Sequence, residues 1–306
     1  MAPHARKPRM LTSMIARRVL APLSLVAAAS LIPWTAALTQ APPARPRITG
    51  INHVAFRVSD GAEARRFYGE LLGLGERAGV GGNRFAYSIG ARQHVALEPG
   101  LPANEDERLG HLAFETADMK ALVAYLSSRG LATRSSDSCQ PGSVLVTDPD
   151  GHPIEFVQGQ WPPRVSKSSS DRALSNRLLH AGLTIRDEQA ANKFYRETLG
   201  FSEIWRGGRP EGVTQWVNMR VPDGTDYLEY MFISDTPDRR RLGTLHHMAL
   251  MVPDIQVAWE EAVRRMPEAA RAQTNTPQVG VNGRYQLNLF DPDGTRTELM
   301  EPFRVR

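Results

Sequence analysis

The chain has 306 residues, 41% of them hydrophobic and 23% charged, a balance that supports a packed core of about two ordinary domains and excludes wholesale disorder. The formal charge of +4 does not mark a nucleic-acid binder: residues 1–47 carry seven of the 37 basic side chains and no acidic one, which leaves 30 basic against 33 acidic residues in the rest, no net attraction for phosphate backbones. A single cysteine, Cys139, rules out an intramolecular disulfide framework and any cysteine-rich metal site.

The first element is an address. A basic stretch ending in Arg17-Arg18 precedes an apolar run over Val19–Leu38, then small residues, then Ala41-Pro-Pro-Ala-Arg-Pro-Arg47. That order predicts a secretory signal over residues 1–41 and a Pro-rich linker over 42–47, hence a periplasmic or secreted protein. The alternative is an uncleaved anchor, since about twenty apolar residues can span a bilayer. Pro22 and Pro33 inside the run favour cleavage. Stable membrane insertion is therefore not expected after cleavage.

Four segments then repeat one frame. Each opens on a histidine, continues as an alternating apolar strand and reaches an aspartate seven positions on: His53–Asp60, His111–Asp118, His180–Asp187 and His247–Asp254. The aspartate stands where a helix N-cap belongs. Phe67-Tyr68 and Gly73 match Phe194-Tyr195 and Gly200 in the helices that follow, with the glycine at the helix stop. Strand-like runs come after each helix: 84–89 and 93–98, 144–147 and 153–157, 214–220 and 227–233, 285–290 and 295–300. The reading is a strand, a helix and three strands, four times over. The second and fourth modules share the turn Asp-Pro-Asp-Gly, at Asp148–Gly151 and Asp291–Gly294. A Ser- and Pro-rich stretch predicts a linker over 159–176 between a first domain, 48–158, and a second, 177–306.

Strand parity then aims the chemistry. Val54, Phe56 and Val58 form the apolar face of the first strand, so His53 points away from the helix. His180 and His247 have the same parity, and His246 points the other way, as a structural or supporting residue. Glu155 and Glu298 each lie seven residues past the aspartate that opens the Asp-Pro-Asp-Gly turn, in strand interiors where a charge is costly unless paired or bound to a cation. Histidines and a carboxylate converging on one point form a site for a divalent transition metal that needs no thiolate.

These motifs resemble the vicinal oxygen chelate (VOC) superfamily, which includes glyoxalases, bleomycin-resistance proteins and extradiol dioxygenases; the likeness covers about residues 48–302. It implies an α+β fold, with four βαβββ modules paired into two cup-shaped mixed β-sheet domains and helices on the outer face. It implies one or two divalent ions per chain, Ni, Zn, Fe or Mn. The first cup offers His53, His111 and Glu155 as ligands. Val95 aligns with a fourth ligand position there, and Glu98 falls off parity as a surface residue. The second cup offers His180, Glu229, His247 and Glu298, with Glu229 or Glu298 able to leave the ion and move a proton. The implied function is an exported metal-dependent lyase, isomerase or epimerase acting on a small molecule with vicinal oxygens. One alternative is an Fe(II) extradiol dioxygenase, although the tyrosine such enzymes carry before the Asp-Pro turn falls on Asn288, and no histidine stands near Val279–Val281. The other is a non-catalytic protein that sequesters a drug or metabolite. Module exchange within the superfamily also allows a homodimer.

Overall fold

The computed structural model describes residues 43–77, 83–136, 140–159, 171–272 and 274–305. The expected signal, Cys139 and most of the expected 159–176 linker lie outside the described residues. The first module holds β1 (Ile48–Val58), helix α1 (Gly61–Arg65, continued by a π-helical stretch, Arg66–Leu71), β2 (Gly75–Arg77), β3 (Phe85–Ile89) and β4 (Gln93–Pro99). The second holds β5 (Leu109–Thr116), α2 (Met119–Ser128), β6 (Arg134–Ser135), β7 (Val144–Thr147) and β8 (Pro153–Gln158). The third holds β9 (Leu178–Ile185), α3 (Glu188–Ala191, continued by a π-helical stretch, Asn192–Thr198), β10 (Ser202–Gly207), β11 (Trp216–Arg220) and β12 (Tyr227–Phe232). A short helix, α4 (Arg239–Leu245), leads into the fourth: β13 (His247–Met251), α5 (Ile255–Arg265), α6 (Glu268–Arg271), β14 (Gln278–Val279), β15 (Arg284–Phe290) and β16 (Arg296–Arg304).

The fold is the expected α+β arrangement of four βαβββ modules in two mixed sheets. Their strand orders are β2-β3-β4-β1-β5-β8-β7-β6 and β10-β11-β12-β9-β13-β16-β15-β14. In each sheet the two central strands run antiparallel, β1 with β5 and β9 with β13. Each is flanked by the last strand of its own module in parallel register. That places the histidine-bearing strands at the centre and the glutamate-bearing strands beside them. The short edge strands β2, β6, β10 and β14 escape a reading by alternation, being too brief or too exposed to show it, and α4 shows no apolar periodicity.

The four repeated aspartates are N-caps as expected. Asp60, Asp118, Asp187 and Asp254 each accept from one or two free amides of the helix they open, a bond that stabilises a helix by about 1 kcal/mol. The two Phe-Tyr helices differ from a plain helical reading. The amides of Leu72 and Leu199 reach back five residues, to Phe67 and Phe194 at 2.9 and 3.0 Å. This wider turn lets adjacent aromatics, Phe67 with Tyr68 and Phe194 with Tyr195, both bury against the sheet. Gly73 and Gly200 then end the helices at φ +69° and +83°, a conformation costly for any residue with a Cβ. Val54, Phe56 and Val58 pack with these aromatics in one core that also takes in Leu183, Ile185 and Leu250 of the other sheet. Residues 42–306 accordingly form one compact unit. No helix among the described residues is long and apolar enough to cross a membrane.

Candidate metal centres

On each central strand the residues of opposite parity to the core line a concave face. His53 on β1, His111 on β5 and Glu155 on β8 meet there. The two Nε2 atoms lie 2.8 Å apart, and Glu155 Oε2 lies 3.2 and 3.1 Å from them. Ligands about 2.0–2.2 Å from one first-row ion stand roughly 3 Å apart in adjacent positions, so these three atoms already have the spacing of a coordination face. His53 Nδ1 lies 2.9 Å from Asn52 Oδ1. That amide oxygen accepts the Nδ1 proton and leaves the Nε2 lone pair bare. Glu155 is fully buried, and neither of its oxygens receives a directed hydrogen bond. A dry carboxylate in that state calls for a cation. Burial holds the His53 imidazole below its ordinary range, and so neutral. For Glu155 burial pushes upward, but the His111 and His53 rings outweigh it and keep the carboxylate ionised.

The second cup gathers His180 on β9, Glu229 on β12, His247 on β13 and Glu298 on β16, all nine-tenths or more buried. The imidazole Nε2 atoms are 3.1 Å apart. Glu298 Oε2 lies 3.6 Å from each; Glu229 Oε2 lies 3.8 Å from His180 and 3.5 Å from His247. All four ligand atoms fall within 4.8 Å of one another. The Leu245 carbonyl, 2.8 Å from His247 Nδ1, takes that proton and frees Nε2. Burial drives His247 well below the ordinary histidine range, and the Arg296 guanidinium adds to it. The two carboxylates diverge: burial raises Glu229, whereas for Glu298 His180 and Arg296 overcome burial and lower it. Neutral imidazoles beside buried carboxylates, with the His180 Nδ1 also left without a partner, form a donor set that fits a divalent ion in either cup.

Every expected ligand therefore reaches its cup, but the fourth position of the first cup does not fall where alignment puts it. β4 pairs in register with β1 so that Ala55 faces Ala96, just as Gly182 faces Glu229 between β9 and β12. Ala96, not Val95, is the counterpart of Glu229. Val95 is fully buried in the core. By the same register Glu98 shares the concave parity of His94 and Ala96, where it lies 3.7 Å from Arg84 Nε. Pairing register fixes a strand's facing residues; similarity of the residues that follow does not. The first cup thus brings together three ligand-type side chains and an alanine, the second four such side chains.

Sequence reasoning missed several neighbours. His94 stacks on His53 at 4.2 Å and Tyr227 stacks on His180 at 4.6 Å, in equivalent positions of the two sheets. Asn218 and Asn288 stand directly across from Glu229 and Glu298. Arg296 lies two residues before Glu298 on the same strand face, a parity readable from the sequence. His246 contributes to neither cup: its Nδ1 lies 2.9 Å from Glu107 and its Nε2 3.0 Å from Thr184 Oγ1. Above the second cup opens a cavity of about 310 Å³ whose walls include Trp205, Trp216, Glu229, Arg296, Glu298 and Met300.

A family model described as the Glyoxalase/Bleomycin resistance protein/Dioxygenase superfamily matches residues 50–156 and again 177–299. Among curated proteins, the metallothiol transferase FosB of Staphylococcus epidermidis is 32% identical over 126 residues, 39% of this chain and 87% of that protein. The lactoylglutathione lyase of Schizosaccharomyces pombe is 24% identical over 196 residues, 53% of this chain and 63% of that protein. Among solved structures, the 2,3-dioxygenase LapB of Pseudomonas sp. KL28 superposes with a TM-score of 0.63 at 19% identity, covering 84% of this chain and 93% of that one. A variant of homoprotocatechuate 2,3-dioxygenase from Brevibacterium fuscum superposes at 0.66 with 22% identity, covering 85% and 73%.

Proposed function

The chain belongs to the Glyoxalase/Bleomycin resistance protein/Dioxygenase superfamily, and from that membership we propose that it is a metal-dependent lyase, isomerase or epimerase whose working site is the second cup. The observation that carries this reading is the meeting of His180, Glu229, His247 and Glu298 beneath an accessible cavity. A divalent ion held by these four groups would supply Lewis-acid stabilisation to a small substrate offering two neighbouring oxygens. The chain's own residues do the rest. The Leu245 carbonyl fixes the His247 tautomer. Trp205 and Trp216 wall the cavity. Glu229, at 3.5 and 3.8 Å from the two imidazoles, is held less closely than Glu155 is in the first cup, and it faces the cavity. Its Oε2 is the base placed to take a substrate proton and return it. The first cup, lacking a mobile fourth carboxylate, holds a second ion without such a base. The leader pattern over 1–41 supports export of the protein.

The test is an ion count joined to a reaction screen. Purified protein is expected to hold one ion in each of its two ligand groups, with Glu155→Gln and Glu298→Gln each removing one. Small hydroxy- and oxo-compounds are then screened for exchange of a carbon-bound proton with solvent deuterium, in parallel with oxygen uptake on catechols. Exchange lost in Glu229→Gln supports the proposal. Oxygen uptake moves the assignment to ring cleavage, and a chain that holds no ion under any of Ni, Zn, Mn or Fe moves it to sequestration.

A further inference from the structure

Arg296 opens β16 on its concave face and lines the cavity beside Glu298. It is only 8% exposed, and its Nε has no hydrogen-bond partner. Among the described residues no carboxylate lies within ion-pair distance of it. Its Nη2 rests instead against His247, 2.8 Å from Nδ1 and 2.9 Å from Nε2. The Nδ1 proton already goes to the Leu245 carbonyl, so the ring has one lone pair to offer, on Nε2. That lone pair is the one aimed at His180, Glu229 and Glu298. Arg296 Nη2, almost equidistant from the two ring nitrogens, lies over the ring and not along that lone pair, so an ion held there would stand as a second cation close to the first.

Charge counting sharpens the point. A divalent ion would neutralise Glu229 and Glu298, and the charge of the largely buried Arg296 would be left over. A buried cation without a counter-charge is costly, and a planar guanidinium is suited to a carboxylate. The remaining walls are mixed: Trp205, Trp216, Met231 and Met300 offer apolar surface, and Arg209, Gln278, Asn282 and Gln286 offer polar groups. In the first cup the equivalent position, paired beside His111, is Pro153, so the feature belongs to the second cup alone.

We propose that Arg296 forms an anion subsite of the second cup, taking the carboxylate of a small substrate, and that anion and metal ion favour each other's binding because the anion offsets the repulsion between Arg296 and the ion. This rests on the second cup being the metal-dependent site. It narrows the substrate to a small carboxylate. By linkage the coupling must be reciprocal.

The probes are benzoate and its neutral counterpart benzamide, titrated against full-length protein stripped of metal and reloaded with Zn, with tryptophan emission reporting occupancy beside Trp205 and Trp216. Benzoate is expected to bind at least about tenfold more tightly than benzamide, the effect of one charge-assisted pair. Arg296→Gln should erase that ratio, and Arg296→Lys should retain part of it, which separates lost charge from a damaged fold. In chelator competition, benzoate should tighten Zn binding by wild-type protein, whereas Arg296→Gln should bind Zn more tightly without benzoate and gain nothing from it. Equal binding of the two probes, no emission change with either, or a ratio unchanged in Arg296→Gln overturns the subsite. These failures are distinct from failure of the metal reading, in which Glu298→Gln holds as many ions as the wild type.

Discussion

A single hydrogen atom in place of a methyl group keeps the second cup open. Gly182 sits two residues past His180 on β9, in register with His247. A Cβ there would overlap the His247 ring and stand 2.7 Å from the Leu245 carbonyl that orients it. The first sheet tolerates Ala55 at the matching place. Gly182→Ala is therefore expected to displace His247 and cost the second cup its ion while the first keeps its own, so that an ion count falls by half with little change in circular dichroism. A variant that holds its full complement would show that His247 is not a ligand. That these imidazoles and carboxylates gather in two cups was legible from sequence because a charge or imidazole recurring at fixed parity in apolar strands has few bland explanations. Ala96 and Gly182 were not, since neither carries a chemical signature and both matter only through the strand opposite. Arg296 was open to the parity argument that found Glu298, but a cation next to a metal site runs against the pattern being sought.

At the scale of elements, the two repeated motifs turn out to be each other's partners. The tyrosine of each Phe-Tyr helix reaches the leading aspartate of an Asp-Pro-Asp-Gly turn in the opposite sheet: Tyr195 to Asp148 at 2.8 Å and Tyr68 to Asp291 at 3.0 Å. The sequence shows both motifs and their spacing but not this crossing, because the two sheets must pack before the residues meet. The braces differ in one neighbour. Asp148 is followed four positions on by His152, whose Nδ1 lies 2.9 Å away; Asp291 is followed by Thr295, which offers only its amide at 2.7 Å. Burial pushes both acids up. At Asp148 the imidazole and the tyrosine outweigh burial and hold it below its ordinary value; at Asp291 burial wins and carries it to about 6. Burial pulls His152 down, and Asp148 outweighs it, leaving the imidazole raised. The pH consequences have opposite signs. The Asp148 contribution is present above the unfolded value of 3.8 and is lost as pH falls through its lowered folded value. That of His152 is present below 6.5 and is lost as pH rises through its raised value. For Asp291 the unfolded chain gives up its proton near 3.8 and the folded one near 6, so stability declines between those values and stays reduced above them. Asp148→Asn should lower the melting temperature throughout the window between the Asp148 and His152 transitions. Asp291→Asn should do the reverse, raising stability at neutral pH by roughly 3 kcal/mol and flattening the decline. Melting curves across this range decide it, and a destabilised Asp291→Asn at neutral pH would contradict the assignment.

The molecule as a whole is less divisible than its repeat suggests. The Ser- and Pro-rich stretch near 159–176 reads as a tether between two bodies, yet composition of a connector carries no information about the faces on either side of it. Those faces are apolar and shared. Phe114 on β5 meets Phe201, the residue before β10, edge-on at 5.2 Å. The Gln93 side chain bonds both the amide and the carbonyl of Leu178, at 2.8 and 2.9 Å, as a neighbouring strand would. The Tyr125 hydroxyl donates to the Thr198 carbonyl at 2.6 Å, and backbone bonds cross from Leu174 to Leu72 and from Asp223 to Ile48 at 3.0 and 3.1 Å. Separating the halves would expose these aromatics and strand the buried Asp148 and Asp291 without their tyrosines. Each large apolar side chain returned to water costs about 1.5–3 kcal/mol, against a net stability of only about 5–15 kcal/mol for a typical domain. The protein is therefore expected to unfold in one calorimetric transition whose measured enthalpy equals its van't Hoff enthalpy, and residues 43–159 expressed alone should fail to give a sharp transition of their own. Two resolved transitions, with the second surviving chelation of one ion, would mean that each half keeps its core without the other and that the crossed tyrosine–aspartate braces join two bodies already folded.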